Sequence, residues 1–427
     1  MQKEVPMFLK NYRQTSELLL IFSLFFLSNI LVFAYAFWLV PVLVLLVTSV
    51  WVLLTALTLW AWNKHHLMPG FIDTLKRNWI ILPFLIFSAL SISWSVKWDV
   101  SLYRWLVLLC TIITGSYIGL RYSLKEIISL LSVFGVYILL VSSIFVFLFP
   151  DVGIMNYHII QGAWKGVYWH KNHMGLLTTF INILFLFNTI TSFASGQKNV
   201  LLWGGLYIYS LIFLFQTDSV ASYLTTIFLH GLLLCAFLFL KFRHNIRRVH
   251  YVLIGVLVVL ASVILYINLD RFFVLFNRNT TLTGRIPLWN YLFSAYIDKR
   301  PLTGYGFNAF WYVKSHQETT QLAAGYPDTI IIADNGFLDI LVNTGYVGLI
   351  LFLLFYGNVW WHTLRYAWRA RDIQAFFPVI LMFYTLVANI SWSLIFENEG
   401  FFMLIMIAIL FCISGEKTLI RERRITG

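Results

Sequence analysis

The chain has 427 residues, 60% of them hydrophobic and 11% charged, with a formal net charge of +12 at pH 7. A soluble domain carries roughly 45–50% apolar and about 25% charged residues, so a water-soluble globule is excluded. The apolar residues fall in blocks near the length that crosses a bilayer as a helix, about 20 residues, and lack the period-two alternation of membrane barrel strands. The expected fold class is all-α: a polytopic membrane protein of about 12 transmembrane helices, forming one transmembrane domain over 1–427.

In chain order the predicted spans are 18–38, 41–62, 79–95, 102–120, 127–149, 174–193, 200–216, 219–240, 251–268, 336–356, 375–395 and 399–414. The chain is polar up to about Leu18 and shows no small-residue cleavage site, which reads as a retained first span. The first two spans are joined near Pro41. Cys110, Cys235 and Cys412 each lie inside an apolar run, with no pairing or metal-ligand spacing.

Lys and Arg mark the cytoplasmic side. If both termini and the even-numbered loops share one side, that side holds 20 of the 30 basic and 7 of the 18 acidic residues. The other side holds the remaining ten basic and eleven acidic residues. Both termini are therefore expected in the cytoplasm. The positive charge follows from topology and from attraction to anionic lipid, and no nucleic-acid partner is needed to explain it.

Two loops on the opposite side are long, about 150–173 and 269–335, and polar residues gather there. In "YWHKNHMGLL" (168–177), His170, Lys171, Asn172 and His173 follow an aromatic cluster and precede a span. An aromatic belt with Asn172 as N-cap explains part of this, but not the lysine or the imidazoles. In "TLTGRIPLWNYLFSAYIDKRPLTGYGFNAF" (281–310), Trp289, Leu292, Phe293 and Tyr296 recur at helical spacing. They predict an interfacial helix with its apolar side in lipid, capped by Thr283 or Gly284 and carrying Pro287 in its first turn. Arg285 then stands at a helix N-terminus, where fork and backbone N–H groups together suit a phosphate or diphosphate. An arginine that snorkels to headgroups gives the same sequence. In "IIIADNGFLDILVNTGYVGLI" (330–350), Asn335, Asp339 and Asn343 are spaced by four and form one polar stripe. Asp334 stands at its mouth, where capping is the plain alternative. A carboxylate at 339, one turn into the span, requires a polar group opposite it. "FENEG" (396–400) places Glu397 and Glu399 in a tight turn, and Arg104 breaks the positive-inside trend near the start of the fourth span. Four polar clusters reaching one surface predict one shared cavity.

These segments resemble the O-antigen ligase and polymerase superfamily, especially its exopolysaccharide-polymerase branch. The resemblance is carried by "SISWSVKWDVSLYRWLVLL" (91–109), "WHKNHMG" (169–175), "QTDSVASYL" (216–224), "TGRIPLWN" (283–290), "PLTGYGFNAFW" (301–311), "ADNGFLDILVNTGYVGL" (333–349) and "FENEG" (396–400). It implies a fold similar to the type-C glycosyltransferases, with a large external loop holding a horizontal helix. It also implies inverting transfer of a glycan from an undecaprenyl-diphosphate carrier to a glycan or lipid-linked acceptor, at the outer face of the bacterial cytoplasmic membrane, without a metal or other cofactor. The bilayer, a flippase and a chain-length regulator are the further partners so implied. Where ligases of the family usually carry a histidine, this chain has Asp334, which favours the polymerase branch.

The expected site comprises Asp334 as base with His170 as second candidate, and Arg285, Lys171 and Arg104 as cations for the diphosphate. Asn172, Asn335, Asp339 and Glu397 complete the substrate-binding set. Two alternatives stand beside polymerisation. One is a ligase that attaches the glycan to lipid A–core or protein. The other is a lipid-linked oligosaccharide transporter, for which repeated halves and mid-membrane charges would be expected and are not seen in the sequence.

Overall fold

The computed structural model describes residues 40–157, 160–242, 285–325, 331–369, 372–396 and 400–425. The predicted spans at 18–38 and 251–268, the cap at Thr283 or Gly284, and Glu397 with Glu399 lie outside the described residues. Helices α1 (Val40–Lys64), α2 (Met68–Arg77), α3 (Ile81–Leu90), α4 (Trp98–Arg121) and α5 (Leu124–Leu148) come first. A hairpin of β1 (Ile154–Tyr157) and β2 (Ile160–Trp164) follows, then α6 (Lys171–Ala194), α7 (Val200–Gln216) and α8 (Val220–Phe242). The last group is α9 (Arg285–Ala295), α10 (Lys314–Ala324), α11 (Gly336–Trp368), α12 (Phe377–Ser391) and α13 (Phe401–Ile425).

The protein is an all-α polytopic membrane protein. Among the described residues six helices are long and apolar enough to cross a bilayer, or seven if one bent pair counts as a single span. The apolar helices Val200–Gln216 and Phe401–Gly415 are shorter. In the bent pair, Met68–Arg77 turns by 92° into Ile81–Trp94. Residues 68–77 fall between the predicted spans 41–62 and 79–95 yet are helical, with Arg77 bonding Asp73 one turn away at 2.6 Å.

Among the described residues α4 packs closely against α13. Gly115 and Gly119, four apart, let the backbones touch, and a Cβ at Gly115 would lie 2.8 Å from the Leu404 carbonyl oxygen. Small residues at this spacing are the membrane's usual means of close helix approach. The hairpin within the predicted loop 150–173 is a short antiparallel pair, Ile154 opposite Trp164.

α11 is broken inside its own length. Gly345 has φ +66° and ψ −174°, and segment 301–306 lies against the break. Tyr346 N–H donates to the Pro301 carbonyl at 2.7 Å, Tyr305 N–H to Val342 at 3.2 Å and Gly306 N–H to Asn343 at 2.8 Å. A helix interrupted inside a bilayer leaves backbone groups that water cannot reach, and here a second segment satisfies them.

The predicted amphipathic helix exists as α9, but its apolar side meets protein rather than lipid. Leu288 and Leu292 are buried in a cluster with Phe310, Trp311, Leu338 and Leu341, while Phe293 is exposed. The same spacing supports a stripe through 288 and 292 as well as one through 289 and 293, and the partner surface decides between them.

Candidate active site

Four segments meet at one end of the bundle: the start of α6, the start of α9, residues 331–343, and residues 392–396 after α12. Asn335, not Asp334, caps α11, its Oδ1 accepting from Phe337 N–H at 3.0 Å and Leu338 N–H at 3.1 Å. That leaves Asp334, held at φ +53°, to face α9. Arg285 Nε lies 3.2 Å from Asp334 Oδ2, and the two side chains are only 17% and 18% exposed. Trp289 fixes the same junction by donating to the Ala333 carbonyl at 2.8 Å. Burial raises the Asp334 pKa, and the charge and hydrogen bond of Arg285 only partly offset that rise. Desolvation outweighs attraction, so this carboxylate is a stronger base than a solvated one.

Asp339 has the polar partners its position demanded. Its carboxylate accepts from Trp311 Nε1 at 2.6 Å, from Ala333 N–H at 3.1 and 3.2 Å, and from the Ser393 hydroxyl. Asn343 extends the stripe, accepting from Phe310 N–H at 3.0 Å and donating to the Asp339 carbonyl at 2.7 Å. The stripe thus ties three chain segments together behind Asp334, and Asp339 is committed within the protein.

The start of α6 differs from its predicted form. His170 is the N-cap, its Nδ1 accepting from Asn172 N–H at 3.1 Å, and its ring stacks on Trp392 with centroids 5.5 Å apart. Asn172 was the expected cap, but it lies one residue inside the helix. Burial first, then the charges of Lys171, Arg285 and Lys165, push the His170 pKa down to about 4. The ring is neutral at pH 7, and because Nδ1 accepts, Nε2 carries the hydrogen. His170 is therefore a hydrogen-bond donor here rather than a free base. Its ring partner Trp392 adjoins Ser393, which bonds Asp339, and Arg285 is one of the charges that act on it.

Lys171 is buried and its ammonium is spent on Asp218, 2.5 Å from the carboxylate and 2.8 Å from the carbonyl oxygen. Sequence reading singled out Lys171 without a partner, although Asp218 is the sole acidic residue between Asp151 and Asp270. Arg104 reaches the patch indirectly. Its Nη2 donates to Tyr312 Oη at 2.5 Å, next to the Trp311 that bonds Asp339. It also lines a small cleft with Val107, Leu108, Phe307, Asn308 and Phe396. The structure therefore brings Arg285, Asp334, His170, Asn335 and Asp339 together and sets Arg104 to one side.

A half-buried arginine–carboxylate pair near a neutral imidazole donor and a helix start can hold an anion and take a proton. Residues 205–353 match the family model described as O-antigen ligase, a stretch that contains Asp218, Arg285, Asp334, Asn335 and Asp339. No curated protein matches the chain. That match supports the resemblance of the chain to the O-antigen ligase/polymerase superfamily.

Proposed function

We propose that the protein is a membrane glycosyltransferase that polymerises polyprenyl-diphosphate-linked glycan repeat units on the external face. The observation that carries this reading is the Arg285–Asp334 pair, 3.2 Å apart and mostly buried, within the electrostatic reach of His170. The acceptor hydroxyl oxygen forms a bond to the anomeric carbon as the bond to the carrier's diphosphate breaks. Asp334 takes the hydroxyl proton, and Arg285 with the His170 Nε2–H receives charge on the departing diphosphate. One displacement at one carbon inverts its configuration.

Asp334 must be ionised to act, and its pKa is raised. Turnover is therefore expected to fall as pH drops through a value above the ordinary carboxylate range of about 3.9. Asp334→Asn should keep residual turnover and lose that acid limb. Initial rates across pH check both.

The family's description favours the ligase as second reading, whereas Asp334, standing where ligases usually have histidine, favours polymerisation. Supplying a defined lipid-linked repeat unit and sizing the product separates them. A polymerase yields a ladder of repeat multiples still on carrier, and a ligase moves the unit to a new acceptor at unchanged length. A product without the ladder contradicts the polymerase reading.

A further inference from the structure

Lys171, only 3% exposed, opens α6 between His170 and Asn172. A buried ammonium is costly without a partner, and its partner lies in the turn between α7 and α8. Asp218 receives Lys171 Nζ on both its carboxylate and its carbonyl oxygen, and its own backbone is left-handed, φ +46°. The same turn abuts α6 again one helical turn further on. A Cβ at Gly175 would come within 2.5 Å of Ser222 Oγ, 2.8 Å of Ser219 Cβ and 2.9 Å of Thr217 Oγ1. Deeper still, the Thr179 hydroxyl meets that of Thr226 at 2.8 Å. The ion pair, buried on its Lys171 side and open on its Asp218 side, and this close seam together restrain the height and rotation of the first turn of α6. On that turn, the His170 Nε2–H and the Asn172 carboxamide have no partner among the described residues.

We propose that Asp218 is a positioning residue for the transfer reaction: through the buried Lys171 ammonium it locks the first turn of α6, so that His170 and Asn172 present their hydrogen-bond donors beside the Arg285–Asp334 pair. The role rests on the transfer reading above, but the lock itself is a property of the free protein. Asp218 touches no reacting atom. It acts on geometry, and a displacement on the order of 1 Å in such donors lowers turnover by roughly 10²-fold. Its carboxylate also occupies the Lys171 ammonium, which is thereby withdrawn from direct contact with a diphosphate.

The test uses the full chain in detergent, with wild type, Asp218→Asn, Asp218→Glu and Lys171→Arg. A polyprenyl-diphosphate-linked glycan is the substrate, and amide hydrogen exchange over 171–176 is followed in parallel. Asp218→Asn is expected to lower kcat by roughly 10²-fold, leave KM within about twofold, and speed exchange at 171–176 by about tenfold. Asp218→Glu, which retains the charge, should recover most of both. Should Asp218→Asn not fold, Lys171→Arg carries the same comparison, because it keeps the pair and alters its length. A milder loss of kcat with faster exchange supports the lock, and wild-type values of both overturn it. Unchanged kcat and exchange in Asp218→Asn overturn the proposal, as does a Glu variant that melts like wild type yet is as inactive as Asn. If wild type transfers nothing, the functional reading fails and exchange alone decides the lock. Faster exchange in Asn but not Glu then supports it, and equal exchange overturns it.

Discussion

Arg285→Ala is expected to remove polymer formation, with turnover falling by 10³-fold or more, on the order of losing the main electrostatic contact to a transition state. Asp334→Ala should be less complete. General base catalysis typically contributes about 10²–10⁴-fold, and the carrier diphosphate is already a good leaving group, so some turnover should survive. The asymmetry follows from what each side chain does. Arg285 is paired through its Nε with the proposed base itself, 3.2 Å from Asp334, whereas Lys171 is bound to Asp218 at 2.5 Å, away from that pair. A lysine at 285 would supply charge without the bidentate fork, so Arg285→Lys should recover only part of the loss. Comparable chain formation by wild type and Arg285→Ala would remove the diphosphate-clamp idea.

Gly345→Ala is expected to be the most damaging substitution for the fold. The residue sits at φ +66° and ψ −174°, a conformation essentially reserved for glycine. An added Cβ would also land on the backbone of Leu302 and Thr303, closer than the 3.0 Å that real Cβ atoms respect. Neither backbone can yield without breaking the hydrogen bonds that seal the gap in α11. A cost of about 4 kcal/mol or more is expected, read as failure to accumulate folded protein or as a large drop in melting temperature. Gly357→Ala on the same helix is the control, since a Cβ there meets nothing within 4 Å and alanine is the better helix former, by up to about 1 kcal/mol. Equal melting of the two variants would show that segment 301–306 is not anchored in the break.

How much of this was legible in the sequence varies by feature, for physical reasons. The spans predicted within the described residues fall on helices, six or seven of which are long and apolar enough to cross a bilayer, because an apolar block of bilayer length has few other solutions. The stripe of Asn335, Asp339 and Asn343 was legible because a spacing of four fixes a common face. Caps were harder. Asp334 and Asn335 are both good caps, Asn172 is one too although His170 takes that place on α6, and the backbone angle at each position decides which side chain reaches the free N–H groups. Asp334 at φ +53° turns away from that role and toward Arg285. The face of α9 was misread because its partner surface, Leu338 and Leu341 on α11, lies far along the chain. The Lys171–Asp218 pair spans 47 residues, and nothing local to either residue specifies the other. The segment inserted at Gly345 was invisible for the same reason, although two glycines, 304 and 345, stand where the two backbones cross.

In the proposed function, Arg285, Asp334 and His170 form one patch that discharges a glycan from a diphosphate carrier. The most direct measurement is quantitation of free polyprenyl diphosphate and of new glycosidic product from purified protein given one lipid-linked repeat unit. The two should appear in equal amounts with wild type and in neither case with Arg285→Ala. Release of the carrier at the same rate by Arg285→Ala, or glycan product without carrier release, would contradict it.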